Sequence, residues 1–306
     1  MRLIDTARVY NVEEQVGRGI KKSGVPREEI FLGTKLWCHD YHPEDVERAL
    51  DDSLRDLDTP YVDLLLMHYP CTFKRGPERF PRDKEGRMIK GETGFLDTWR
   101  AMEKLTETGK VKAIGVSNFS KGEIEVLLNE SSTVSTSTPV ARYPDSILTK
   151  FILGPRRPPN GSPPLPPAKS LQRLAQEQRN PRRAVQPARQ HERFLPANGV
   201  VQGNCAHDAV IDQPLLKEIA KKHDKSPAQV VLAWGINSGR SVIPKSVVDW
   251  QIDQNLEADF ELAAEDMERI ATLDAKARFN DPSLDYEWRL YSDLEGIDGT
   301  VRGRTH

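Results

Sequence analysis

The chain has 306 residues, 37% hydrophobic and 29% charged, with a formal net charge of -2. That size admits one large domain or two ordinary ones. The near-neutral balance excludes a global electrostatic case for nucleic acid or a membrane surface. Three scattered cysteines, Cys38, Cys71 and Cys205, fit neither a disulfide framework nor a zinc site. The longest largely apolar stretches, such as Val62 to Met67 with Asp63 inside it, are too short to cross a bilayer, and no signal peptide pattern opens the chain, so a cytoplasmic protein is expected.

In chain order, Leu3-Ile4 reads as a strand stub. Asn11 to Ser23 reads as a helix with Val12, Val16 and Ile20 along one face. A strand over Ile30 to Leu36 precedes a helix from His42 to Leu57, which carries a first-turn proline and buries Val46, Leu50, Leu54 and Leu57. The largely apolar stretch Tyr61 to His68, interrupted by Asp63, is that of a strand covered on both faces in a parallel sheet. A long polar loop follows, then a helix from Phe95 to Thr108, a strand from Val111 to Val116 and a helix from Lys121 to Asn129. This alternation predicts a parallel sheet covered by helices.

Between Pro139 and Pro196 the composition changes. More than half of the 22 prolines fall there, arginines are abundant and no apolar period survives, so the segment 135–209 is expected to be disordered. Pro164 to Lys169 has the spacing of a polyproline ligand, and Arg156-Arg157 and Arg182-Arg183 read as solvated charge. Beyond it, Gln213 to His223, Ser226 to Asn237 and Ala264 to Asp274 read as helices, and Ser241 to Pro244 as a short strand. Trp99 and Trp234 fall on buried helix faces. His39 and His42 read as solvated loop histidines, with no metal site, and Cys71 as a semi-buried thiol.

Asp5, Lys35 and His68 sit at or just past the ends of inferred strands, and Tyr10 lies in the loop after the first. In a parallel β/α barrel those ends gather at one mouth, where active sites form. An ammonium near a phenol lowers the phenol's pKa, a carboxylate keeps the lysine charged, and a histidine can orient a carbonyl oxygen. Trp37, two residues past Lys35, suits the wall of a substrate pocket.

These residues carry a resemblance. Arg2-Leu3-Ile4-Asp5-Thr6-Ala7 with Tyr10, Glu13 and Gly17 resembles the first signature of the aldo-keto reductases. Gly33-Thr34-Lys35 and Leu66-Met67-His68 look like that family's lysine and histidine strands. Lys112 to Phe119 is similar to its second signature, and Ile243-Pro244-Lys245-Ser246 opens its third.

The resemblance implies a single α/β domain over 1–306, a (β/α)8 TIM-type barrel. About five of its strands are legible. The barrel is expected to be incomplete, truncated at its N-terminus and divergent or out of frame over 135–209. The resemblance further implies an NAD(P)H-dependent oxidoreductase that reduces aldehydes or ketones to alcohols, with Tyr10 as general acid, Lys35 and Asp5 as its activators and His68 orienting a small-molecule carbonyl. Ser117 and Asn118 would hold the nicotinamide of NADPH, Lys245 and Ser246 its 2′-phosphate region, and Gln254 and Asn255 its adenine. Gln251 stands where the family has an arginine, which admits NADH as well. Residues 283–306, with Tyr286, Trp288 and Tyr291, form either a pocket-forming tail or a frayed end. The alternative function is a catalytically dead remnant that at most binds a partner through the proline-rich insert.

Overall fold

The computed structural model describes residues 3–130, 151–153, 210–273, 282–288 and 290, which fall into two compact units. One comprises residues 3–130, 151–153 and the C-terminal stretch from 282; the other comprises 210–273. The polyproline and paired-arginine motifs lie outside the described residues.

The first unit repeats strand and helix four times. It runs β1 (Leu3–Asp5), α1 (Glu13–Ser23), β2 (Phe31–Leu36), α2 (Pro43–Asp56), β3 (Leu64–Met67), α3 (Phe95–Leu105), β4 (Ile114–Val116) and α4 (Lys121–Glu130). The four strands are parallel and lie side by side in chain order. Doubly wound sheets reverse their strand order at a switch point. Here there is no reversal, which is the winding of a β/α barrel.

β5 (Phe151–Leu153) pairs antiparallel with β4, Phe151 opposite Val116 and Leu153 opposite Ile114. No strand was expected within 135–209. Phe151-Ile152-Leu153 is a short apolar run inside that segment, and the open side of β4 offers it unpaired backbone groups.

Local signals account for most boundaries. Pro43 starts α2, where its missing N–H would be unpaired anyway. Val46, Leu50, Leu54 and Leu57 are all buried, as their spacing predicts. α1 differs from its sequence pattern. The face that packs is Glu13 and Gly17, whereas Val12 is exposed and Val16 and Ile20 pack only partly against the core. A Cβ on Gly17 would meet the Leu57 carbonyl oxygen at 2.5 Å. The closest approach of α1 therefore follows the glycine, and the valine and isoleucine line is displaced to its flank. Trp99 joins the core, and Cys71 is fully buried rather than half-exposed, because the loop after β3 folds back over the β2–α2 turn. There Phe73 N donates to the Cys38 carbonyl at 3.0 Å.

The second unit packs α5 (Pro214–Lys222), α6 (Pro227–Asn237), α7 (Asp249–Leu256) and α8 (Ala264–Ala271) around Leu216, Ile219, Val230 and Trp234. Ser226 and Gln229 cap α6 reciprocally. Residues 241–246 are not a strand: among the described residues no neighbouring segment supplies ladder hydrogen bonds to them. None of the described helices is long and apolar enough to cross a membrane.

Asp266 on α8 is 0% exposed and accepts from Lys222 Nζ and His223 Nε2, both at 2.9 Å. Burial alone would raise its pKa, but His223 and Lys222 outweigh it and hold the carboxyl below the ordinary 3.8. A folded-state value below the unfolded one adds stability above pH 3.8 that is lost as pH falls through the folded value. Asp266→Asn is expected to lose roughly 2 kcal/mol at neutral pH, since Lys222 is half exposed and its pairing is screened. Urea melts at pH 7 and pH 3 would show the gap between wild type and variant closing in acid; an equal gap at both would refute the assignment.

Candidate active site

Strand alternation sorts the β2 side chains. Thr34 turns towards α1 and donates to Glu13 Oε1 at 2.6 Å, while Lys35 turns the opposite way. Parallel register places Gly33 beside Asp5 and Lys35 beside Leu66, so Lys35 has Asp5 on one neighbouring strand and His68, just past β3, on the other.

An ammonium has three N–H donors, and here they meet three acceptors. Lys35 Nζ lies 2.6 Å from Asp5 Oδ2, 2.9 Å from the Thr6 carbonyl and 3.5 Å from Tyr10 Oη. Lys35 is 2% exposed. Burial pushes its pKa below the ordinary lysine value, and the Asp5 carboxylate pulls the other way. The lysine is therefore held in place by its partners and poised to donate to the phenol oxygen.

Tyr10 closes a short 3-10 turn, Arg8–Tyr10, whose end is made by Asn11 with a left-handed φ of 57°. Tyr10 is 42% exposed. Its ring meets His68 edge-on, with centroids 5.6 Å apart. His68 is stacked on Tyr69 and is met edge-on by Trp37 at 5.2 Å.

Ser117 and Asn118 follow β4 and are buried. Asn118 adopts a left-handed φ of 62° and donates from Nδ2 to the His68 carbonyl at 2.8 Å and to Ser117 Oγ at 3.2 Å. These bonds tie the end of β4 to the end of β3. They fix the Ser117 hydroxyl and the Asn118 amide, a donor and an acceptor of the types that pair with a carboxamide.

Trp37 is 1% exposed, and its Nε1 donates to the Arg79 carbonyl at 2.8 Å. Phe73, Phe80, Tyr69 and Tyr286 surround it. It thus backs His68 from inside an aromatic cluster instead of offering an open face. Tyr286 belongs to α9 (Ser283–Tyr286), which is held by a paired contact of Arg82 with Asp285 at 2.9 and 3.0 Å. This part of the C-terminal stretch is docked and not frayed; Tyr291 lies outside the described residues. Sequence reading did not identify the supporting roles of Tyr69, Phe73, Phe80 and Glu13. Only Glu13 left a signal, an acid one helical turn before the glycine that marks the packed face.

The remaining expected cofactor residues lie in the second unit. Lys245 is exposed, and Ser246 donates to Gln251 Oε1 at 2.5 Å and accepts from Val248 N. Gln254 gives its carbonyl to Gln229 Nε2, and both Gln254 and Asn255 are partly exposed on α7, a helix the sequence reading did not include.

The sequence profile of the Aldo/keto reductase family matches residues 1–144 and 168–275. An uncharacterized oxidoreductase of Schizosaccharomyces pombe is 33% identical over 296 residues, covering 96% of this chain and 83% of its own. Aldo-keto reductase family 1 member A1 of Bos taurus is 32% identical over 289 residues, 92% of this chain and 81% of its own. Among solved structures, the aldose reductase of Schistosoma japonicum superposes with a TM-score of 0.70 at 28% identity, over 97% of this chain and 87% of that one. That of Giardia lamblia gives 0.65 at 27%, over 94% and 88%.

Proposed function

This chain belongs to the aldo/keto reductase family, an NAD(P)H-dependent oxidoreductase with the α/β barrel fold that acts on small carbonyl compounds, and we propose that it reduces an aldehyde or ketone using NADPH with Tyr10 as the proton donor. The observation that carries this reading is Lys35 Nζ, which touches Asp5, Thr6 and the Tyr10 hydroxyl together.

When bound, reduced nicotinamide would supply the hydride, and Ser117 and Asn118 would hold its carboxamide. His68 orients the carbonyl oxygen of the substrate towards Tyr10, and Trp37 forms the apolar backing of that pocket. The Tyr10 O–H donates to the developing alkoxide, and the ammonium of Lys35 stabilises the phenolate left behind. Burial lowers the pKa of that ammonium, and Asp5 opposes the shift.

In the second unit Lys245 and Ser246 are assigned to the 2′-phosphate region and Gln254 and Asn255 to the adenine. Ser246 is engaged by an uncharged amide, Gln251, where the family has an arginine, so Lys245 lacks that second cation and NADH is accepted too. Gln251→Arg is expected to lower the KM for NADPH about tenfold, the worth of one charge-assisted contact, and to leave NADH unchanged. An equal effect on both cofactors would remove Gln251 from the phosphate region. Oxidation of NADPH and NADH with a reactive aromatic aldehyde tests the whole reading. Turnover is expected; its absence in folded protein that binds cofactor favours the non-catalytic alternative.

A further inference from the structure

A second group of charged side chains lies beside the catalytic one and shares no residue with it. A cleft of about 390 Å³ is lined by Arg8, His39, Arg48, Arg75 and Arg79, with Gly76 and Pro77 among its other walls. We propose that this cleft binds a small oxyanion, a phosphate- or carboxylate-bearing metabolite.

Three carboxylates also line it, and each already has a guanidinium. Asp40 pairs with Arg48 at 2.9 Å, Asp45 with Arg75 at 2.5 Å, and Asp52 with Arg48 at 3.3 Å. Those pairs fix Arg48 and Arg75 and leave part of their five N–H donors for a ligand. Arg8 is fixed in the same way by Glu13 and Asp56.

Two lining groups stand apart. Arg79 has no carboxylate partner among the described residues; its guanidinium donates instead to the neutral amide oxygen of Asn11. Burial lowers its pKa and repulsion from Arg8 lowers it further, against the weaker pull of Asp40, Glu13 and Asp56. His39, expected as a solvated loop residue, is only 9% exposed, because the loop after β3 folds over its turn. Its Nδ1 lies 3.3 Å from Asp40 but makes no hydrogen bond. Burial, opposed by Asp40 and reinforced by Arg79, Arg48 and Arg8, keeps the ring neutral. In its Nδ1–H tautomer the buried His39 has a donor without an acceptor, and the Arg79 and Arg8 guanidiniums of the same cleft repel each other; an oxyanion among them satisfies both. The volume suits a ligand larger than phosphate itself.

Occupancy would reach the catalytic residues through Arg79. Its carbonyl holds the Trp37 indole, and its side chain holds Asn11, which follows Tyr10.

The test needs neither cofactor nor carbonyl substrate, so it stands apart from the proposed activity. Sodium phosphate and citrate are titrated calorimetrically, at constant ionic strength, into wild type, Arg79→Met and Arg18→Met, the last an exposed cation outside the cleft. Expected is one saturable site for phosphate or citrate, about tenfold weaker in Arg79→Met and unchanged in Arg18→Met. Phosphate alone identifies a phosphate ligand, citrate alone a carboxylate one. No binding of either up to about 10 mM, or equal weakening in both variants, overturns the proposal. Should Arg79→Met fail to fold, phenylglyoxal labelling of Arg79 in wild type gives the same answer. Protection by phosphate or citrate is expected, and an unchanged labelling rate overturns the site.

Discussion

Tyr10→Phe is expected to lower kcat for aldehyde reduction by roughly a thousandfold, in the middle of the range for loss of a general acid, with cofactor affinity unchanged. The substitution deletes one oxygen from a half-exposed ring. Lys35 keeps its two shorter bonds, to Asp5 at 2.6 Å and to the Thr6 carbonyl at 2.9 Å, so the local fold has no reason to change. The ring itself still meets His68 edge-on. What is lost is the proton donor and nothing that holds cofactor, which is why kcat and cofactor affinity must separate. Steady-state kinetics combined with a fluorescence titration of NADPH would show this. A variant that retains turnover to within about tenfold of wild type would move the proton donor elsewhere, with His68 the next residue to examine.

The second large effect is at Lys35. Lys35→Met removes an ammonium that is 2% exposed and leaves the Asp5 carboxylate without it. Breaking a buried ion pair from one side costs about 3 kcal/mol or more, because the remaining charge is stranded. Activity falls as well, by roughly a hundredfold or more, since the Tyr10 phenolate loses its stabilising charge. The two losses can be told apart. Adding Asp5→Asn to Lys35→Met removes the stranded carboxylate, so the double variant is expected to recover much of the stability and none of the turnover. Thermal melts and kcat measured on the same three proteins decide it. A double variant as unstable as the single one would mean that Lys35 acts through packing, not charge.

Helix α2 and strand β3 show how far local pattern carries. The proline at the start of α2 and the spacing of Val46, Leu50 and Leu54 are short-range properties, and they specify both its beginning and its buried face. The apolar run before His68 likewise marks a strand enclosed on both faces, and Leu64 to Met67 are all buried. The positions of Asp5, Lys35 and His68 at strand ends were legible for the same reason, whereas Ser117 and Asn118 were indicated by the family resemblance. Once a chain repeats strand and helix in one direction, every strand ends on the same side of the sheet.

Other features depended on partners far away in the chain. Ser241 to Pro244 has strand-like residues but no strand beside it among the described residues, whereas Phe151 to Leu153 pairs with β4 through backbone groups far away in the chain. Glu13 is an acid on a helix, and only the hydroxyls of Thr34 and Ser53 and the Arg8 guanidinium make its burial tolerable. His39 looked like a loop residue until the segment after β3 covered it.

The amino-acid sequence by itself therefore determined the helices and strands of the first unit up to α4, three of the four longer helices of the second, and the chemical types gathered along the strand ends, because each of these follows from spacing along the chain. Only the tertiary structure decided that one ammonium would meet a carboxylate, a carbonyl and a phenol together, that Trp37 would be enclosed by Tyr286, and that Arg79 would face Arg8 across a cleft. Those are distances between residues remote in sequence. They arise from how helices and loops pack on the sheet, and packing is a property of the assembled core that no single stretch of residues contains.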